Sequence, residues 1–126
     1  MATFIIGLLL VIISAISESI MDKIQFHFKK SVFSGEGFNQ LFWNPQTSWK
    51  NKWDSTLKKP KFFLSTTMLV FLTDAWHLFK FVRNTALFIG LPVMCLSGIN
   101  IIIVIATARV AYGLAFTLMF DRILVK

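Results

Sequence analysis

Asp74 and His77 stand three residues apart, and Glu18 and Asp22 stand four apart. On helices, each pair projects from one face. A carboxylate and an imidazole on one helix, facing two carboxylates on another, is how helical bundles hold a divalent cation. The expected metal ligands are therefore Glu18, Asp22, Asp74 and His77, with His27 as a further nitrogen. In that chemistry Asp74, His77 and Glu18 are the catalytic candidates, the cation polarising a phosphate ester while one carboxylate takes a proton. Two carboxylates at i,i+4 repel, and a cation would relieve that. The plainer use of the same groups is a structural ion pair, with Arg109 as the base that joins the acids. Asp-x-x-His and Glu-x-x-x-Asp are short patterns and match no specific fingerprint.

A second constellation is Trp43-Asn44-Pro45-Gln46-Thr47-Ser48-Trp49-Lys50-Asn51-Lys52-Trp53. Trp43, Asn44, Trp49, Lys50, Lys52 and Trp53 have the types that grip a lipid headgroup: cations for phosphate, amides for its esters, indoles for the boundary. The alternative is an aromatic and basic belt that rests on the bilayer without a defined site.

Other chemistries are absent from the sequence. There is no glycine-rich phosphate loop, no cysteine pair for zinc and no His-Glu-x-x-His helix. Ser65 and His77 are too far apart along a helix to form a nucleophile and base. Nucleic acid is not the expected partner of the net charge of +7, because the lysines lie beside apolar spans rather than along a soluble groove.

The elements that must position these groups are helices in lipid. The chain has 126 residues, 56% of them hydrophobic, with a mean hydropathy of +0.68. That length suits a single domain. Thr3–Ile20 and Ala86–Ala108 are oily enough to cross a bilayer. Ile5–Ile13 and Ile99–Ile105 lack the alternation of barrel strands, so the expected class is all-α: a small polytopic bundle of three long helices. No Lys or Arg precedes the first apolar run, which points to a retained helix rather than a secretory signal. Cys95 lies inside the last apolar run and is expected to be a buried, unpaired thiol. Asn100 is expected to hydrogen-bond between helices.

Between Lys23 and Lys61 there are eight lysines against Glu36 and Asp54. This basic, tryptophan-rich stretch is an ordered interfacial loop, broken from the first helix at Ser34-Gly35-Glu36-Gly37. Anionic headgroups are its expected partner. Its charge places the loop and carboxyl terminus in the cytoplasm and the amino terminus outside.

Two registers remain open for the second half. With the turn at Arg83-Asn84-Thr85, the helices run at about 3–28, 61–83 and 86–124, and Asp74 and His77 lie deep. With the turn at Gly90-Leu91-Pro92, the second helix extends to about 90 and the third starts at about 92. Constant rise then brings Glu18, Asp74 and Arg109 to one layer. Thr107, Ala111 and Ala115 make a small-residue stripe against which another helix can pack. Three functions stay in view: a metal-assisted membrane enzyme acting on a lipid or lipid-linked phosphate, a non-catalytic subunit or anchor of a larger complex, and a proton- or ion-conducting oligomer.

Overall fold

The computed structural model describes all residues from Met1 to Lys126. Its helices are α1 (Ala2–His27), two single turns α2 (Gln40–Trp43) and α3 (Pro45–Ser48), α4 (Ala75–Cys95) and α5 (Ile101–Leu118), the last extended by a π turn through Ile123. There are no strands, only two isolated β-bridges, Ser31 with Val125 and Trp53 with Pro60. Three helices, Ala2–Lys30, Ala75–Cys95 and Ile101–Ile123, are long and apolar enough to span a bilayer, and the chain is an all-α integral membrane bundle.

The central element is α1, which packs against both α4 and α5. Its most apolar window is 44% buried, against 17% for α4 and 11% for α5, so the outer faces of the other two are left to lipid. Small residues let α1 and α4 come close. A methyl group on Gly7 would lie 2.5 Å from the Gly90 carbonyl oxygen, and one on Gly90 would lie 2.9 Å from that of Gly7. Without a hydrophobic drive between helices in lipid, such close backbone packing is what holds them together. Ser17 and Ser19 turn their hydroxyls back to the carbonyls of Ile13 and Ile16, which lets polar residues sit buried on this face. One apolar cluster joins Val11, Met94, Val104 and Ala108, and a second, at the basic end, joins Ile20, Ile24, Phe33, Ala75 and Leu124.

The turn between the second and third spanning helices lies at neither expected place. The second long helix begins at Ala75 rather than near residue 61, runs through both Arg83-Asn84-Thr85 and Gly90-Leu91-Pro92, and ends at Cys95. The third begins at Ile101 rather than at 86 or 92. Breaking a helix in hydrocarbon would strand backbone donors and acceptors, which is why a membrane helix continues past a proline in its last turns. Residues 61–74 form successive turns, with Leu64 in the left-handed region (φ 58°), and Asp74 caps α4 by accepting from the amide of His77 at 3.0 Å. Asn100 caps α5 through the amide of Ile102 instead of bonding across helices, and Cys95 is exposed at the end of α4 rather than buried.

The loop between α1 and α4 is ordered by its aromatics. Trp43 stacks on Phe33 with centroids 4.4 Å apart and meets Phe38, Phe42 and Phe79 at their edges or tilted. Asn51 donates to the carbonyls of Leu41 and Thr73, tying this platform to the start of α4. The chain end closes it: the amides of Val32 and Lys126 donate to the carbonyls of Leu124 and Lys30.

Candidate functional site

The helix register decides which polar groups meet. Gly7 of α1 faces Gly90 of α4, and the Ser14 hydroxyl donates to the Arg83 carbonyl at 2.9 Å, so the two helices run antiparallel in step. Side chains on a helix lean toward its amino end. Glu18 therefore leans toward the Ser14 layer, and there it meets Arg83: Nη1 lies 3.2 Å from Oε1. The other carboxylate oxygen accepts the hydroxyl of Tyr112 on α5. Arg83 also donates from Nε (3.1 Å) and Nη2 (2.9 Å) to the amide oxygen of Asn84. One carboxylate thus joins all three spanning helices, its charge answered by Arg83 and Tyr112.

This cluster corrects the expected one. Because the turn falls at residues 96–100, α4 slides relative to α1 and brings Arg83, not Asp74, to Glu18. Asp74 and His77 pair instead with each other at the head of α4, near the basic loop and not deep in the bundle. Asp74 Oδ2 lies 2.7 Å from His77 Nδ1 and accepts the Thr73 hydroxyl at 3.1 Å, while Oδ1 takes the His77 amide. Glu18 is thus held by Arg83 and Tyr112 while Asp74 is held by His77 and Thr73, so the four expected ligands are not gathered at one point. No three His, Cys, Asp or Glu side chains come together as a metal centre. Asp22 lies one turn beyond Glu18 and forms no ion pair. Arg109, expected beside the acids, is exposed on the outer face of α5 and pairs with none of them.

The headgroup candidates also separate. Trp43 is packed inside the aromatic platform, and the Asn44 side chain accepts from the amide of Gln46 at 3.0 Å. Trp49 and Trp53 are exposed, with Lys50 lying over the Trp49 ring. The carbonyl of Lys52 accepts the Ser65 hydroxyl at 2.8 Å, fastening the loop to the turns before α4. A groove of about 710 Å³ opens beside Asn44 and is lined by Gln25–Lys30, Ser34 and Asn44–Gln46. His27, Lys29 and Lys30 of that groove were outside the expected headgroup set, although their adjacency to the end of the first span signals the headgroup zone. Arg83 and Tyr112 were missed as partners of Glu18. The only signal for them was an arginine and a tyrosine within hydrophobic helical periodicity, which implies a buried acceptor.

The two ends of the bundle differ in charge. Every lysine lies at the end formed by the close of α1, the loop, the start of α4 and the close of α5, whereas Met1–Ile13 and residues 84–100 contain no Asp, Glu, Lys or Arg. No protein-family model, no curated protein and no solved structure matches the chain.

Proposed function

We propose that this chain is a non-catalytic helical subunit of a membrane complex, docked through the outer face of α5 to a transmembrane helix that carries a carboxylate. The observation that carries this reading is Arg109. It sits near the middle of α5, faces outward, and has no acid of its own chain beside it. An arginine at the centre of a span costs roughly 3 kcal/mol on insertion scales unless something answers it. Arg83 shows how this bundle answers such a charge, with the Glu18 carboxylate from a neighbouring helix and the Asn84 amide oxygen. Arg109 calls for the same from outside.

The surface next to it suits a helix. Ala106, Thr107, Val110, Ala111 and Leu114 line a shallow apolar groove of about 400 Å³, and on the helical wheel Arg109 flanks it beside Ala106 and Val110. Small residues there let a neighbouring backbone approach closely, and the mid-span guanidinium selects a partner with Asp or Glu at the same depth. The lysine-rich end would face the cytoplasm, with the amino terminus outside.

The test is to purify the full chain from its native membrane in mild detergent, with a photoreactive residue at Val110. One partner is expected in fixed proportion, crosslinked through a transmembrane segment bearing Asp or Glu. Arg109→Leu should release it, and Arg109→Glu combined with a lysine at the partner's acid should restore it. Crosslinks only to lipid, or only to further copies of this chain, would overturn the reading.

A further inference from the structure

We propose that the groove between the end of α1 and α3 is a binding site for the phosphate of an anionic lipid headgroup. This site is separate from the α5 face and stands independently of it.

Depth comes first. α1 has 26 residues, so it is about 39 Å long, and the hydrocarbon core is about 30 Å thick. Its last turns therefore emerge into the headgroup layer, and the groove begins there, at Gln25.

The lining chemistry is one-sided. His27, Lys29 and Lys30 form one wall, Asn44 and Gln46 the other, and no Asp or Glu lines the space. Neither lysine is in an ion pair. Cations with free ammonium groups and amides capable of both donating and accepting fit a phosphate diester and its glycerol or other polar substituent. A volume of about 710 Å³ matches a headgroup-sized ligand. Phe26, 66% exposed, lines the same groove, which gives an acyl chain an apolar rail and favours an amphiphile over free phosphate.

The walls are fixed in advance. The amide of Gln40 donates to the carbonyls of Phe33 (3.1 Å) and Phe38 (3.0 Å), the Ser34 hydroxyl to that of Ser31 (2.9 Å), and Lys126 pins the Lys30 carbonyl (2.9 Å). Binding then needs little further ordering of backbone.

The experiment exposes the full chain in micelles to phosphatidylcholine vesicles with or without phosphatidylglycerol, and counts retained phosphatidylglycerol per chain by native mass spectrometry. The double variant Lys29→Gln/Lys30→Gln should lose retention on the order of tenfold. Lys58→Gln/Lys59→Gln, which removes equal charge from exposed positions outside the groove, should stay within about twofold of the unaltered chain. Gln46→Glu, which keeps every lysine but sets an acid in the groove, should also weaken retention several-fold, and guards against misfolding of the double variant. Equal loss from both lysine pairs, or no retained lipid, would overturn the proposal. Displacement of the lipid by millimolar inorganic phosphate would overturn the lipid assignment and leave a site for free phosphate.

Discussion

Arg83 of α4 and Glu18 of α1 form an ion pair at 3.2 Å with both side chains about one-third exposed in the isolated bundle. Lipid covers what the bundle does not, so the pair is worth more than its counterpart at an aqueous surface. Arg83→Leu leaves a carboxylate in hydrocarbon with only Tyr112 beside it, and should lower stability by roughly 2–4 kcal/mol in thermal unfolding in micelles. Glu18→Gln combined with Arg83→Leu should recover at least half of that loss. Tyr112→Phe removes one hydrogen bond and should cost about 1–2 kcal/mol. A double variant no more stable than Arg83→Leu alone would show that the two charges do not act on each other.

Gly7 and Gly90 set the distance between α1 and α4. A methyl group at Gly7 would meet the Gly90 carbonyl, the Met94 amide nitrogen at 2.7 Å and Met94 Cγ at 2.5 Å. Backbone atoms cannot step aside as a flexible side chain can, so Gly7→Ala should destabilise by about 1–3 kcal/mol. Gly37→Ala, where nothing lies within 4 Å, should change stability by less than about 0.5 kcal/mol. Equal melting temperatures for the two variants would mean that the helices have room to spare.

How far the fold could be read from sequence follows from what each signal measures. Hydropathy reports solvent, and it located α1 because lipid demands helices, but the second apolar run, Ala86–Ala108, straddles the end of α4, the turn and the start of α5. Hydropathy could not place the turn, because Gly90-Leu91-Pro92 and Arg83-Asn84-Thr85 are breakers only where water can take over the backbone's hydrogen bonds. Asp74 carried a legible cap signal in Thr73-Asp74, but the residues before it, from Phe62, are apolar enough to resemble a span. Glu18 meets Arg83 and Tyr112 on the other two helices, neither of them an expected partner. Its partners depended on register, which an error of a few residues in one turn changes completely. Trp43 reads from sequence as a membrane belt and packs instead against Phe33 and Phe38, since an aromatic-rich loop has a core of its own available.

Outside the spans, Asp54 organises the loop that returns the chain to Lys61. Its Oδ1 accepts the Thr56 hydroxyl at 2.6 Å and the amides of Leu57 and Thr56 at 2.9 Å each, while its own amide donates to the Lys59 carbonyl. The Thr56 hydroxyl first, then the Leu57 and Thr56 amides, hold its carboxyl below the ordinary carboxylate range. These donors favour the charged form, so the folded loop binds a proton less readily than the unfolded one. The contribution to loop order is therefore complete above the ordinary value, near pH 4, and fades as pH falls through the lowered one. The amide proton shifts of Thr56 and Leu57, followed by NMR in micelles, should keep their hydrogen-bonded positions below pH 4 and move only under more acid conditions. In Asp54→Asn the same shifts should be flat across that range. A midpoint at or above the ordinary carboxylate value would show that these donors do not hold the charge.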